Sequence, residues 1–599
     1  MSRKRARKAA PDASRLARRS RVALLVFAAA LAVRLVYLAE ASSDPSFDVP
    51  IVDSQSYDQH ARLLVSEGTF YNRFFWQGFF YPFFLAGTYL VSGGSILFAR
   101  LVQIVLGSCM CALVCALGEK LFDRRIGCAA GMIAALYGPL VYYDAEILDA
   151  GFSAIWAIAL LLLCLRAREA KSALPALLFG VVGGLAVATR ATFAPFFLAS
   201  AVWLVLAPRE TGAARLRAAA RAGFLAAGFL AAALPVASLA HRATGEFSFL
   251  PQSGPLNLFI GNNPDRNATI MIRPGSEWRE LTRMPTVQGS PSDAEDRRVF
   301  MRRFIDYVKS EPGGYAAGLA AKAVEFASSR ELPRNESMYV ARDRSRLLSI
   351  LVWKAGPFGF PFGLLLPLAV AGIAMFPRRF PAPVYLFLAL YAAAVVAVFV
   401  SGRYRAPVVP VLAVPAAAGL LRLVDLARAR LWPRAAALAA SVAAVAVASS
   451  VAGPFAAERH DYRAEMHTIV GFELMKRNRT REAYEELSEA LRVHPGWGDA
   501  HKYIGLLMSG ERRHEEAAAH FGKALEQDPD SYFLRYYLGT TLLNLGKRAE
   551  GFAELRAARE GAVEAKEDEL IRQIDRILGP GSPGDAPPGG VDASGGTAR

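Results

Sequence analysis

The sequence predicts an all-α protein in which a polytopic membrane helix bundle of about eleven spans precedes a soluble α-solenoid of tetratricopeptide repeats. First, 53% of the 599 residues are hydrophobic, and they concentrate in segments of ~20 residues, the length that crosses a ~30 Å hydrocarbon core. Second, short basic runs flank these segments. Third, the polar carboxyl-terminal region repeats every 34 residues.

The chain begins with a basic stretch, residues 1–21, which we expect to be cytoplasmic because positive charges flank membrane helices on that side. A basic stretch followed by an apolar one is also typical of a cleaved signal peptide. Residues 22–38, however, form a long apolar segment that contains Arg34 and offers no clear small-x-small cleavage site. This pattern favours a retained first span.

The membrane body covers residues 22–453, with long outer loops at 40–95 and 241–346. Residues 70–90 are rich in aromatic side chains, and we predict that they lie in the membrane interface, where Trp and Tyr concentrate. If they crossed the membrane, every later basic loop would move to the outer side. The predicted spans are 22–38, 96–118, 126–142, 148–165, 173–188, 192–207, 222–240, 347–376, 382–400, 405–424 and 435–453.

The net charge of +16 does not indicate nucleic-acid binding. The basic residues flank apolar segments, at 1–21, 209–221 and 422–434, where they orient helices. The five cysteines lie inside apolar segments, which predicts neither a disulfide framework nor a CxxC metal site.

The carboxyl-terminal region carries the most specific pattern in the chain. Gly471, Gly505 and Gly539 are spaced by 34 residues, as are two further sets of small and apolar positions. This period is typical of tetratricopeptide repeats, whose helix pairs stack because one pair cannot bury its apolar face alone. The Gly- and Pro-rich residues 580–599 should be disordered. We place the repeats at 464–497, 498–531 and 532–565.

Ionisable residues collect at the helix ends that are predicted to face outward: Asp53, Asp58, Asp144, Glu146, Asp149, Arg190, Arg403 and Arg405. Charges at a membrane boundary are costly unless they are solvated, paired or functional. Acids and arginines on one face suit a reaction in which a base activates a hydroxyl and cations stabilise a phosphate leaving group. A lipid-linked phosphate is a natural substrate, because its head group lies at this depth.

Each candidate has a structural alternative that the sequence leaves open. Asp53 could cap a helix that starts at Ser54, and Tyr57, one turn later, could pack at the interface. Asp144 and Glu146 could cap the following helix, and the arginines could snorkel from helix ends.

The second outer loop contains Asn262 and Asn263 in a run rich in Gly, Pro and Asn. Turn formation is the default explanation of such a run. A surface that binds a sugar is the alternative, because asparagine side chains both donate and accept hydrogen bonds. The sequence has no HExxH, GxxxxGK[ST] or Ser-His-Asp signature, and His60 has no ligand partner in helical register.

A series of short motifs occurs in order over residues 21–425. They are Asp53-x-x-x-Tyr57-x-x-x-Ala61, Tyr81-Pro82-Phe-Phe-Leu85, Arg100-Leu101-x-Gln103, Gly184-Leu-Ala-Val-Ala-Thr-Arg190 and Arg403-Tyr404-Arg405-Ala-Pro407-Val-Val-Pro410. In order and spacing they resemble the polytopic glycosyltransferases that use polyprenyl-phosphate sugars, the GT-C superfamily. Within it, the chain is most similar to the family 39 branch of protein mannosyltransferase-like and aminoarabinose transferase-like enzymes.

The resemblance implies that Asp53 is the catalytic acid of the first outer loop and that Asp144 or Glu146 is the second active-site acid. In some members of the superfamily these acids bind a divalent cation. Close mannosyltransferases carry adjacent Asp and Glu in the first loop, whereas Ser54 follows Asp53 in this chain. This departure leaves metal use and acceptor class open.

We therefore expect a glycosyltransferase at the outer face of a bacterial inner membrane that moves a sugar from a polyprenyl-phosphate donor to an acceptor hydroxyl. Asp53 would be the general base, and Tyr57, Arg190, Arg403 and Arg405 would contribute to substrate binding. The repeats would lie on the periplasmic side and bind a protein or glycan acceptor or partner. The alternatives are a non-catalytic membrane-anchored scaffold and a transporter of the lipid-linked sugar, although a transporter should carry ionisable residues near the midplane.

Overall fold

A computed structural model describes residues 13–69, 76–206, 212–287 and 292–579. Residues 1–12 of the basic N-terminal stretch and the predicted disordered segment 580–599 lie outside the described residues. The chain forms two compact units, Met1–His460 and Asp461–Arg599.

The first unit is mostly helical in its described residues. Its first part contains α1 (Ala13–Ala41), α2 (Val52–Glu67), α3 (Phe80–Ser92), α4 (Ile96–Leu121), α5 (Arg124–Ala135), α6 (Gly138–Ala145), α7 (Ala150–Glu169), α8 (Leu174–Thr189), α9 (Ala194–Val205) and α10 (Gly212–Thr244). The second outer loop contains α11 (Gly254–Gly261), α12 (Arg266–Thr269), α13 (Ser276–Val287), α14 (Asp293–Ser310), α15 (Pro312–Ala327) and α16 (Met338–Ala341). The rest contains α17 (Arg346–Leu351), β1 (Trp353–Ala355), β2 (Phe358–Phe360), α18 (Phe362–Met375), α19 (Ala382–Ala397), α20 (Gly402–Arg405), α21 (Val409–Arg428) and α22 (Trp432–Val451).

Membrane-length apolar helices dominate this unit. Four predicted spans appear as the shorter apolar helices α8, α9, α18 and α19, and α5 with α6, bent by 56°, forms a further candidate span. These features confirm a multi-pass membrane helix bundle. Among the described residues, six helices are long and apolar enough to cross a membrane: Arg21–Ala41, Ile96–Leu121, Ala150–Glu169, Leu216–Thr244, Gly402–Arg428 and Trp432–Val451.

The predicted span at 347–376 is wrong in its first half. This stretch contains α17 and the antiparallel hairpin of β1 and β2, and α18 begins only at Phe362. Gly356 in the hairpin turn has a φ of 54°, a left-handed value that glycine adopts without steric cost. The high average hydropathy of the segment concealed this turn, although Lys354 and Gly356-Pro357 interrupt the apolar run.

An ion pair lies inside the helix bundle. Arg34 on α1 donates a hydrogen bond from Nε to Oδ2 of Asp144 on α6 over 2.7 Å, and both side chains are buried. Gly107 on α4 and Gly151 on α7 lie so near that a Cβ at these positions would be 2.1 and 2.5 Å from the carboxylate oxygens. The two glycines therefore provide the space in which this pair is buried.

Replacing Gly107 by Ala is expected to destabilise the bundle by about 3 kcal/mol, because the added methyl group displaces the Asp144 carboxylate and breaks a buried ion pair. The measurement is the thermal midpoint of the detergent-solubilised protein. Gly87→Ala on α3 is the matched control, since within the described part of the chain no atom beyond its own helical backbone and its two chain neighbours lies within 4 Å of a Cβ there. Equal midpoints for the two variants would contradict this packing.

The second unit is a series of helix pairs. A glycine of the predicted 34-residue series lies at the contact within each pair, where a Cβ would come within 2.9 Å of Leu487, Phe521 or Leu555 on the partner helix. The helices are α23 (Tyr462–Lys476), α24 (Thr480–Val493), α25 (Gly498–Gly510), α26 (His514–Gln527), α27 (Tyr532–Asn544), α28 (Arg548–Glu564) and α29 (Asp568–Leu578).

A polar contact also recurs in these pairs. It joins equivalent positions, each spaced by 34 residues from the next. The helix pairs thus follow the predicted period, whereas their assignment to the tetratricopeptide family stays a prediction. The three contacts are His467–Glu486 at 2.6 Å, His501–His520 at 2.8 Å and Arg535–Glu554 at 3.0 Å.

Candidate functional site

A cavity of about 510 Å³ lies where several membrane helices of the first unit end. It is walled by the start of α2, residues 76–78, the α8–α9 turn, the α11 region and the residues between α19 and α20. An apolar wall with a few convergent charged groups is typical of ligand sites. The lining includes the charged residues Asp53, Asp149, Arg190, Arg334 and Arg403 and the apolar residues Trp76, Leu258, Trp278, Val395 and Phe399.

Asp53 lies in the first turn of α2, and the N-cap of this helix is Ile51. The alternative that Asp53 is the N-cap is therefore wrong. Its Oδ1 accepts a hydrogen bond from Gln77 Nε2 over 2.8 Å. Its Oδ2 accepts from Asn335 Nδ2 over 2.7 Å and from Arg403 Nη1. Three donors thus fix the carboxylate at the cavity.

The backbone before Asp53 is strained. Val52 has a φ of 48°, which is unfavourable for a β-branched residue. Strain of this kind costs on the order of 1–3 kcal/mol and is found where surrounding structure holds a functional group in place. The entry into α2 thus sets the direction in which Asp53 leaves the helix.

Asp149 and Arg190 form a second charged pair on the cavity wall. Arg190 Nε and Nη2 donate to the two carboxylate oxygens of Asp149 over 2.6 and 2.8 Å, a bidentate geometry that favours the ionised forms. Burial raises the pKa of Asp149, but the charge and hydrogen bonds of Arg190 outweigh it, so the net pKa is lowered. Arg190 Nη1 also donates to the carbonyl oxygen of Arg403 over 2.8 Å.

Tyr57 lies one turn after Asp53 on α2 and lines the cavity. Its ring meets that of Tyr81 edge to face, with centroids 4.8 Å apart. Burial, together with the charges of Asp149 and Asp53, raises the pKa of its hydroxyl well above the ordinary value. Tyr57 is therefore a neutral hydrogen-bonding group close to both carboxylates.

The two acids expected to complete the site, Asp144 and Glu146, do not line the cavity. Asp144 faces the bundle interior and pairs with Arg34. Glu146 lies 3.7 Å from Arg100 Nη2. The structure places Asp149 at the cavity instead, because α6 ends at Ala145 and the chain turns before α7 begins.

The two arginines of the Arg403-Tyr404-Arg405 turn face different surroundings. Arg403 lines the cavity, whereas Arg405 is buried and donates to the carbonyl oxygens of Ser328 and Arg330 over 2.5 and 2.7 Å. Residues two apart in a helical turn point in different directions. The structure therefore corrects the expectation that Arg405 binds substrate.

Asn262 and Asn263 have structural contacts and do not line the cavity. The Asn262 amide donates to the carbonyl oxygens of Leu258 and Ala397 over 2.9 Å each. The Asn263 amide donates to the carbonyl oxygen of Phe259 over 2.8 Å. These hydrogen bonds stabilise the end of α11. The prediction that the two asparagines bind a sugar is therefore not supported by their position.

Sequence reasoning missed Gln77, Asn335 and Glu336. Gln77 could have been recognised from the sequence, because it is a polar residue within the aromatic-rich segment 70–90. Asn335 is 282 positions from Asp53, so no local pattern could join the two. Glu336 accepts hydrogen bonds over 3.2 Å from the hydroxyls of Ser54 and Tyr142.

The charged residues of the cavity do not fit a resident divalent metal. In the parts of the chain that the structure describes, no group of three or more His, Cys, Asp and Glu side chains could hold an ion. Guanidinium groups already neutralise both cavity carboxylates, Asp53 through Arg403 and Asp149 through Arg190. No reaction step is therefore assigned to a metal.

Residues 77–239 match the family model described as dolichyl-phosphate-mannose-protein mannosyltransferase. The resemblance expected from the sequence is confirmed for this part of the chain. No curated protein matches the chain.

Solved structures of an oligosaccharyltransferase from Archaeoglobus fulgidus are similar to this chain. Its crystal structure in complex with Zn and sulfate has 16% identity and a TM-score of 0.41, covering 75% of this chain and 55% of that one. The archaeal oligosaccharyltransferase AglB in complex with an inhibitory peptide and a dolichol-phosphate has 15% identity and a TM-score of 0.37, covering 73% and 57%. The chain thus spans little more than half the length of these structures.

Proposed function

Starting from the match of residues 77–239 to the mannosyltransferase family model, we propose that the chain is an inverting glycosyltransferase. It moves a sugar from a polyprenyl-phosphate donor to an acceptor hydroxyl, with Asp53 as the general base. The observation that carries the proposal is the contact between the Asp53 carboxylate and the Arg403 guanidinium in a cavity at the ends of membrane helices.

The reaction is a displacement at the anomeric carbon. The acceptor hydroxyl gives its proton to Asp53 while its oxygen forms the new bond to that carbon. The bond between the carbon and the phosphate oxygen breaks, and polyprenyl phosphate leaves with the electron pair. Attack opposite the leaving group inverts the anomeric configuration.

Arg403 is placed to exchange one anion for another. Its Nη1 donates to Asp53, and its Nη2 donates to the Tyr404 hydroxyl over 3.1 Å. A donor phosphate would compete for this guanidinium through charge-assisted hydrogen bonds, which releases a carboxylate oxygen to act as base. Arg190, which is committed to Asp149, would orient Arg403 through the backbone carbonyl.

The polyprenyl chain of the donor would extend into the membrane while its phosphate reaches the cavity. We place this reaction at the outer face of the inner membrane. The repeats at 464–565, on the same periplasmic side, would bind a protein or glycan acceptor or an assembly partner. Asp53, Tyr57, Asp149, Arg190 and Arg403 are the proposed site residues.

The test of this function uses purified protein in nanodiscs with radiolabelled polyprenyl-phosphate hexoses and pentoses and an extract of cell-envelope acceptors. We expect label to pass to an acceptor with inverted configuration and polyprenyl phosphate to be released in equal amount. A donor that binds but stays intact with every acceptor would overturn the proposal.

Removal of divalent metal is expected to leave the rate of transfer within about twofold of its initial value, because arginines and not an ion balance the cavity carboxylates. The measurement compares initial rates before and after dialysis against a chelator. A large loss that added Mg²⁺ or Mn²⁺ restores would show that the donor brings a metal into the site.

A further inference from the structure

Glu336 lies close to the proposed reaction without lining the large cavity. It follows Asn335, which donates a hydrogen bond to Asp53. It also accepts a hydrogen bond from Ser54, the residue after Asp53 on α2. Glu336 is therefore linked to the general base in two ways, through the adjacent Asn335 in the chain and through its hydrogen bond with Ser54.

A second cavity, of about 20 Å³, adjoins the first. Glu336 and Ser401 line it, and Arg334, Asn335 and Arg403 line both cavities. Its volume suits about one water molecule. Arg403 therefore borders Asp53 on one side and the Glu336 cavity on the other, and its Nε makes no hydrogen bond within the described residues.

We propose that Glu336 is a positioning residue that acts through Arg403. When Glu336 carries a proton, the guanidinium is available to the donor phosphate in the large cavity. When Glu336 is ionised, it attracts the guanidinium through Nε and withdraws it from the phosphate. This inference rests on the proposed function, since that function places the donor phosphate against Arg403.

The surroundings of Glu336 decide the pH at which the change occurs. Burial, and then the charges of Glu146 and Asp53, raise the pKa of Glu336 to about 8, against the opposing charge of Arg403. Because the protonated form supports transfer, activity is complete well below pH 8 and falls as the pH rises through that value. The titratable and charged groups around Glu336 are Asp53 on α2, Glu146 before α7, Arg403 on α20, Tyr37 on α1 and Tyr142 on α6. Tyr143, Glu331, Arg334 and Tyr339 line the same small cavity.

The first experiment is the pH profile of sugar transfer for the wild type and for Glu336→Gln. The glutamine cannot ionise, so the variant should keep transfer at neutral pH and lose the alkaline fall. Asp58→Asn, on α2 but outside the cavity, should keep the wild-type profile. An unchanged alkaline fall in Glu336→Gln, or a folded variant that is inactive at every pH, would overturn the inference.

Two further variants cover the case in which Glu336→Gln does not fold. Glu146→Gln removes a negative charge beside Glu336 and should move the alkaline fall to lower pH. Tyr142→Phe removes a hydrogen bond to the Glu336 carboxylate and should move it to higher pH. If neither variant moves the profile, Glu336 does not control it.

Binding of a short-chain polyprenyl phosphate separates this inference from the proposed function, because it requires no chemistry. One pH unit above the pKa, only the protonated fraction binds well, so the apparent affinity of the wild type should fall by about tenfold. Glu336→Gln should bind polyprenyl phosphate with the same affinity well below the pKa of Glu336 and one pH unit above it. If this pattern appears without transfer of any sugar, the proposed reaction fails and the role of Glu336 stands. Wild-type binding that does not change with pH overturns the role of Glu336 alone.

Discussion

Replacing Asp53 by Asn is expected to lower the rate of sugar transfer by about 10²–10⁴-fold, because the acceptor hydroxyl loses its general base. Asn has the size of the native side chain, and its oxygen can still accept the hydrogen bond from Gln77. Donor binding should therefore persist while transfer stops. The measurement is the initial rate at saturating donor, with the lipid-linked donor pool followed in membranes, where it should accumulate.

The matched control is Asp58→Asn, the same substitution on the same helix. Asp58 bonds to the Tyr89 hydroxyl over 2.6 Å and to Arg62 over 2.9 Å, and it does not line the cavity. A loss specific to Asp53→Asn assigns the effect to the reaction and not to α2. If a folded Asp53→Asn protein transferred sugar at the wild-type rate, Asp53 would be a structural residue and the scaffold hypothesis would lead.

The membrane body and the helical period of the tail were predictable because each depends on neighbours in sequence. A span is recognised from ~20 consecutive residues, and a repeat is recognised from residues at one fixed interval. The hairpin that interrupts 347–376 was not predictable in this way. Its turn lies in a mostly apolar segment, and hydropathy averaged over a span-length window does not register Lys354 or the local turn signal Gly356-Pro357.

The first-loop acid was singled out through the family resemblance, because Glu40, Asp44 and Asp48 also follow the first span and the residues alone do not distinguish Asp53 from them. The contacts of Asp53 were not predicted in this way. Asp144 and Asp149 are five positions apart, and only the turn after α6 decides that the first faces Arg34 and the second faces Arg190. Likewise, the direction of a single helical turn separates Arg403 from Arg405.

Long-range contacts complete the site in a manner that a single sequence does not reveal. Asn335 and Arg403 bind Asp53 across 282 and 350 positions. Asn335 lies in the loop before α16 and Arg403 in the single turn of α20, positions where many polar residues merely face water. Only the packing of α2 against these turns shows that the three groups meet.

Replacing Arg403 by Ala is expected to lower the rate of transfer by about 10²–10³-fold, because the phosphate leaving group loses its main cationic partner. Arg62→Ala, which removes an arginine outside the cavity, should change the rate little. Added guanidinium ions should restore part of the activity of Arg403→Ala, since the cavity of about 510 Å³ has room for them. A folded Arg403→Ala protein with wild-type activity would contradict the assignment.

The double variant Asp53→Asn/Arg403→Ala distinguishes the two roles that the structure allows Arg403. If Arg403 only held Asp53 in place, its removal would cost nothing further once the carboxylate is gone. If it binds phosphate, affinity for polyprenyl phosphate should fall in both backgrounds, because this binding does not require the base. Residues that act on one another give non-additive losses. We therefore expect the losses in transfer rate to be non-additive. The Arg403→Ala substitution should lower the affinity for polyprenyl phosphate by a similar factor with or without the Asp53 carboxylate, because Arg403 exchanges between the carboxylate and the phosphate.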